Sequence, residues 1–224
     1  MALKKYKACL PDNGWRVLKI LRGIIQANKF LLAGGTALAL QKGHRISYDL
    51  DFFTLSSFRN DKLISAIRKA APDFQILAEE EGSLTVEIEG VKASFFRYEY
   101  PFFDKIVEIE QTRMAGVLDI AAMKVIAIIQ RGAKRDFIDL YTILQEIPFH
   151  KLAGHMIKRF GKERVNPVQM GKSLVYFADA DTNPEPAYRK GMGLSWEDVR
   201  KFFRTHVKQF VFDLEAARKE TDEQ

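Results

Sequence analysis

The sequence predicts an α+β fold, a core of short strands with flanking helices followed by a mainly helical carboxy-terminal part. Three observations predict it. Stretches of period-two alternation at residues 48–53, 83–88 and 91–98 fall in the first hundred residues, as strands with one buried face require. Helical periodicity takes over from Leu118 onward. With 224 residues, 47% of them hydrophobic, the chain can bury a sizeable core as one large domain or as a core plus a helical subdomain. The patterning divides the chain at residues 1–115 and 116–224.

Residues 15–28 have the spacing of an amphipathic helix, and residues 30–33 read as a short buried strand. Gly34-Gly35 makes a tight strand-to-helix turn, with Thr36 as the expected cap of a helix carrying Ala37, Leu38 and Leu40. Gly43 stops that helix. In the strand at 48–53, Asp49 and Asp51 leave on one face while Leu50 and Phe52 enter the core. A helix at 60–71 and strands at 74–77, 83–88 and 91–98 complete the first part. Asp119 is placed to cap a helix through Gln130, and Gly132 interrupts it. Asp136 caps or opens the next helix, which turns Phe137, Leu140, Tyr141 and Leu144 inward. A polar loop, ADADTNPEP, spans residues 178–186, and a last helix spans 195–219 behind the capping pattern Ser195-x-x-Asp198. There are no repeats and no low-complexity segments.

The most informative stretch sets Gly34-Gly35-Thr36 thirteen residues ahead of the pair Asp49 and Asp51. A nucleoside triphosphate carries several negative charges, and bare backbone amides at a helix start can meet them only where no side chain blocks the approach. In-line displacement at phosphorus also needs Mg²⁺, typically a metal pair about 3.5–4 Å apart held by carboxylates. Asp49 and Asp51 are the candidate metal ligands and catalytic residues; Gly34, Gly35 and Thr36 are the candidate phosphate cradle. Taken singly, a Gly-Gly turn most often only reverses a chain, and an isolated Asp-x-Asp is most often an exposed strand face. Ser47 can bond the loop or an incoming phosphate, and Arg45 can meet the triphosphate or pair with a carboxylate. Lys124, Ile128, Arg131 and Arg135 fall near one face if their two helices are coaxial. Arg131 there can hold phosphate bidentately or form part of an ion-paired surface.

Gly34-Gly35-Thr36, then His44-Arg45-x-Ser47 leading into Asp49-Leu50-Asp51-Phe52-Phe53, resembles the AbiEii/AbiGii-type nucleotidyltransferase toxins of the polymerase-beta-like superfamily. A second block follows in the family's order: Asp119-Ile120-Ala121-Ala122-Met123-Lys124, Arg131-Gly132 and Arg135-Asp136-Phe137-Ile138-Asp139-Leu140. The resemblance spans about residues 25 to 145. It implies a polymerase-beta-like core and Mg²⁺-dependent transfer of a nucleotide from a nucleoside triphosphate to an acceptor hydroxyl, with the 3′ end of a tRNA as the acceptor. It assigns the family's essential lysine to Lys124 and its later aspartate to Asp136. It also implies a cognate antitoxin, which represses expression or covers the toxin. Two other readings share the donor site: adenylylation of a protein or small molecule, and a nucleotide-binding partner protein that has lost turnover. The last draws on a departure from the superfamily pattern. A third carboxylate on a neighbouring strand usually orients the attacking hydroxyl, and Ser94 stands near its expected place, with Glu87 and Glu99 as carboxylates of undetermined register.

Composition narrows the class further. The net charge is +6, and between Arg113 and Lys208 seventeen Lys and Arg stand against ten Asp and Glu. Lys151, Lys158, Arg159, Lys162 and Arg164 form one basic cluster; Arg189, Lys190, Arg200, Lys201 and Arg204 form another, interleaved with Tyr188, Trp196, Phe202 and Phe203. These suit phosphate contacts with RNA, or equally solvated helix faces over an aromatic core. His44 sits in a turn, where a surface or hydrogen-bonding role is the common one, and His150, His155 and His206 lack metal spacing. A single cysteine, Cys9, an amino terminus without a leader's apolar region and no apolar run near the ~20 residues of a membrane helix predict a cytoplasmic protein without membrane contact.

Overall fold

The structure, a computed structural model, describes residues 6–220. Residues 1–5, part of the amino terminus that reads as lacking a leader's apolar region, and residues 221–224 lie outside the described residues. The described residues divide into two compact units, 6–101 with 105–116, and 102–104 with 117–220.

The first unit is a seven-stranded mixed sheet with helices. Its strands are β1 (Leu31–Ala33), β2 (Leu50–Thr54), β3 (Gln75–Glu80), β4 (Ser83–Ile88), β5 (Val91–Arg97), β6 (Val107–Ile109) and β7 (Thr112–Met114), in the order β3-β4-β5-β2-β1-β7-β6. β2 runs antiparallel to β1 and parallel to β5, and β7 joins β1 in parallel. The sheet faces follow from alternation. Leu50, Phe52, Leu84, Val86, Ala93 and Phe95 turn to one side and are fully buried. On that core side Phe30 meets Phe95 at 5.2 Å between ring centroids and Phe52 at 6.5 Å. Each such ring contributes roughly 1.5–3 kcal/mol through burial. Helix α1 (Asp12–Ala27) packs on α3 (Asn60–Ala70) and on β5. The stripe Val17, Leu18, Leu21 and Ile25 explains its amphipathic spacing. Helix α2 (Gly34–Lys42) is buried along almost its whole length, so most of its residues are small or apolar, and Gly43 ends it in the left-handed conformation at φ 71°.

The β6–β7 hairpin has no counterpart in the sequence reading. Its turn, Glu110-Gln111, takes positive φ at both residues, 49° and 62°, without the Asn-Gly pair that ordinarily marks such a turn. β3 is longer than the predicted 74–77 and exposed throughout, which removes the burial alternation that would have delimited it.

The second unit is helical: α4 (Val117–Arg131), α5 (Lys134–Leu144), α6 (Phe149–Phe160), α7 (Pro167–Leu174), α8 (Ala178–Asp181) and α9 (Trp196–Glu220). α9 packs along α5, α6 and α7. Phe203 of α9 lies 5.4 Å from Phe137, and Phe210 stacks on Phe149 at 4.4 Å. Phe203 therefore fills the core and does not decorate a basic surface. The Asp198 amide donates to Ser195 Oγ at 3.3 Å, which is the predicted start of α9. Asp119 is not a cap: it lies inside the first turn of α4, and its carboxylate accepts from the Phe103 and Asp104 amides at 3.2 and 2.9 Å. The polar loop at 178–186 is helical over its first four residues, which form α8.

Candidate active site

The site in the first unit begins at the turn after β1. Gly34 has φ +64°, and a Cβ there would stand 2.9 Å from Asp51 Oδ2. A Cβ on Gly35 would stand 2.1 Å from Arg45 Nη2 and 3.4 Å from Ser47 Oγ. Both glycines thus have close neighbours where a Cβ would stand, and those neighbours are the motif residues themselves.

Thr36 does not cap α2, because the helix begins at Gly34 and its N-cap is Ala33. The Thr36 side chain has another partner. Its hydroxyl donates to the Asp49 carbonyl and lies 2.8 Å from Ser47 Oγ. A carbonyl only accepts, so the Thr36 proton goes to Asp49 and the Ser47 hydroxyl is the donor between the two side chains. Thr36, 1% exposed, thereby pins the backbone that carries Asp49. The Ser47 amide donates to the Cys9 carbonyl at 2.9 Å, and Arg45 Nη1 to the Ile46 carbonyl at 3.2 Å. His44 is buried and not a surface residue.

Asp51 lies within β2, in register with Ala33 on one side and Ser94 on the other. Asp49 immediately precedes the strand. Both carboxylates remain partly exposed, while Leu50 and Phe52 between and beyond them are buried. Ser94 occupies the position beside Asp51 where a third carboxylate would stand, and its Oγ accepts from Thr85 Oγ1 at 3.2 Å. Glu87 pairs with Lys92 across β4 and β5, and Lys92 reaches back to Asp49, Nζ to Oδ2 3.4 Å. Glu87 therefore shares the carboxylate face but lies two strands from Asp49. Glu99 is exposed beyond the end of β5.

Lys92 was missed by the sequence reading. Its period-two offset from Ser94 was visible, but only the β2–β5 register brings it to Asp49. Its ammonium beside Asp49 shows that the carboxylate field favours a cation. Hard oxygen donors and partial exposure fit Mg²⁺, which is commonly held by one or two carboxylates and completed by substrate phosphates. Among the described residues no group of three or more His, Cys, Asp or Glu forms a closed metal site. A cavity lined by Lys7, Leu10, Pro11, Trp15 and Arg22 contains none of these residues and is distinct from the site.

In the second unit Lys124 is buried, its Nζ 2.8 Å from Asp136 Oδ1 and 2.6 Å from Asp139 Oδ2. Arg131, half exposed, binds Asp136 through Nε at 2.8 Å and Nη2 at 3.1 Å. Burial pushes the Asp136 carboxyl upward, but the Lys124 ammonium and the Arg131 guanidinium outweigh it and hold the group below the ordinary carboxylate range. Asp119 has the same balance. Burial raises it, and His155, Arg159 and the two backbone amides bring it below its usual value. Arg159 is buried in this arrangement, with its guanidinium carbon 4.7 Å from the Phe102 ring centroid. It is a core residue and leaves the basic cluster predicted around it. Arg200 of the second cluster pairs with Asp181 and Glu197. Neither His150, exposed on α6, nor His206, bonded to the Phe202 carbonyl at 2.8 Å, joins a site.

Aquifex aeolicus (strain VF5) carries the protein aq_aa25, 34% identical over 194 residues, 82% of this chain and 89% of that one. MenT4, a nucleotidyltransferase toxin from Mycobacterium tuberculosis H37Rv, superposes at a TM-score of 0.53 with 16% identity, over 93% of this chain and 89% of its own. JHP933 from Helicobacter pylori superposes at 0.50 with 19% identity, over 96% and 98%. At these identities the two structures show a shared fold alone. The sequence pattern of the nucleotidyl transferase AbiEii toxin, type IV toxin–antitoxin system, matches residues 16–103 and 76–222. The chain belongs to that AbiEii nucleotidyltransferase toxin family.

Proposed function

We propose that this chain transfers a nucleotide from a nucleoside triphosphate to the 3′ hydroxyl of a tRNA in an Mg²⁺-dependent reaction. One observation carries the reading: a glycine turn whose missing side chains are demanded by Asp51 and Arg45, directly beside the half-exposed pair Asp49 and Asp51. In the reaction the acceptor oxygen attacks the α-phosphorus, the α–β bridging bond breaks, pyrophosphate leaves and the hydroxyl proton passes to solvent. Asp49 and Asp51 would hold Mg²⁺, which when bound neutralises phosphate charge and activates the attacking oxygen. Gly34 and Gly35 carry no side chain of their own to screen their amides from phosphate, and Arg45 lies against that turn with a guanidinium suited to phosphate oxygens. Thr36 and Ser47 hold the Asp49 loop. The family resemblance assigns its essential lysine to Lys124 and its later aspartate to Asp136. The ion pairs of Lys124 with Asp136 and Asp139 hold its side chain in place.

Incubation of the protein with each labelled nucleoside triphosphate, Mg²⁺ and total RNA tests this directly. Label in tRNA is expected, lost in Asp51→Asn with the fold intact by circular dichroism. Label in protein would replace the acceptor. The Ser94 position favours one rival, a nucleotide-binding protein without turnover, and binding of nucleotide with no labelled product would establish it.

A further inference from the structure

Two residues beyond Asp51 on β2 comes Phe53, on the same sheet face by alternation. Phe53 is in register with Phe96 of β5, and their rings stack at 5.1 Å and 30°. Tyr98 meets Phe53 edge-on at 5.4 Å and 75°, and Tyr100 meets Tyr98 at 5.4 Å and 70°. The four rings form a continuous ladder, and all four are half-exposed. The opposite face of the same strands offers the contrast: Phe30, Phe52 and Phe95 are almost wholly buried there. Aromatic rings contribute most to stability when fully covered. A row left partly uncovered beside the Asp49 and Asp51 side chains has the form of a platform for another ring system.

We propose that Phe53, Phe96, Tyr98 and Tyr100 stack the unpaired terminal base of a single-stranded RNA acceptor, placing its hydroxyl at the Asp49/Asp51 pair. This rests on the transferase reading above. Topology selects acceptor over donor. Ala33 pairs with Asp51 and Leu31 with Phe53 in antiparallel register, so moving from Asp51 to Phe53 leads away from the Gly34-Gly35 turn. The step is about 7 Å, two strand residues. With the donor phosphates at the turn, the leaving pyrophosphate departs on that side, and in-line geometry brings the attacking hydroxyl from the other. The ladder lies on that other side. Stacking tolerates any base, because every base presents a π-face, and it selects an unpaired end over a closed duplex. An acceptor hydroxyl on a protein would leave the ladder without a role.

The experiment uses the full chain carrying Asp51→Asn, to prevent turnover, and an oligoribonucleotide with an unpaired 3′-terminal 2-aminopurine, alongside a blunt duplex of the same sequence. Tyr98 and Tyr100 follow β5, so replacing them spares the sheet. Tyr98→Ala/Tyr100→Ala is expected to weaken binding of the single-stranded probe roughly five- to a hundredfold and to reduce quenching of its terminal base. Duplex and nucleoside triphosphate affinities should not change, and Tyr98→Phe/Tyr100→Phe should restore tight binding. Unchanged affinity for the single-stranded probe would overturn the proposal, as would a loss confined to triphosphate binding, which would make the ladder a donor-base seat. Transfer to RNA by a ladder variant at the parental rate and KM would remove the ladder while sparing the transferase reading. A parent chain that binds neither triphosphate nor RNA would remove both.

Discussion

At Gly34 and Gly35 the backbone is bare because Asp51 Oδ2 and Arg45 Nη2 occupy the space a Cβ would need. Gly34→Ala adds a left-handed strain of about 1 kcal/mol to that contact, whereas Gly35→Ala must displace a flexible guanidinium end. Gly35→Ala is therefore expected to keep the fold and lose at least tenfold in kcat/KM, with an unfolding midpoint shifted only slightly. Parental turnover by this variant would show that Arg45 has no need of its position. Lys124 calls for a different expectation, because it is buried between two carboxylates and not an exposed helix lysine. Lys124→Ala removes the ammonium that two buried carboxylates share, a cost of about 3–5 kcal/mol, to be read in denaturant unfolding. Adding Asp139→Ala should recover part of it. A change within about 0.5 kcal/mol would mean that the ion pairs do not form in solution.

Helix α4 and its neighbours show how element stability depends on buried charge. Asp136 and Asp119 both have folded-state carboxyls below their ordinary range, so the unfolded chain takes up protons first as pH falls. Their stabilisation is fully present above the unfolded value of about 4 and is lost as pH drops through the folded values. Thermal unfolding followed in the helical signal should therefore be flat in this respect near neutrality and fall steeply below about pH 4. Asp119→Asn should flatten the acid limb, since Asn at this position cannot titrate. A slope equal to the parent's would remove Asp119 from the acid response. In α2 the lever is a neutral bond: Thr36→Val deletes the hydroxyl that holds the Asp49 carbonyl and is expected to cost about 1–2 kcal/mol and to lower activity by loosening Asp49.

On the scale of the whole molecule, a chain of this toxin family with net charge +6 is expected to act on a polyanion and to burden its host. Induced expression in bacteria should slow growth, and Asp49→Ala at equal protein level should relieve it. Normal growth under induction of folded protein would favour the rival without turnover. Binding to RNA should weaken steeply with added salt, because Lys and Arg contacts to phosphate release counterions. No helix among the described residues is long and apolar enough to cross a membrane.

The sequence by itself determined the α+β class, the strand and helix order around Gly34-Gly35 and Asp49-x-Asp51, and the family, because alternation, helical periodicity and motif spacing are local properties of a chain. It also made the Ser94 departure visible. It could not show the β6–β7 hairpin, whose turn lacks the usual residues, nor that Thr36 works through its hydroxyl inside the helix and not as a cap. Tertiary structure alone decided the rest. Strand register is a long-range choice, and it put Ser94 beside Asp51, brought Lys92 to Asp49 and aligned Phe53 with Phe96. Burial is likewise a property of packing: it made Lys124 the centre of an ion-pair cluster, and it turned Arg159 from a member of a basic patch into the buried partner of Asp119.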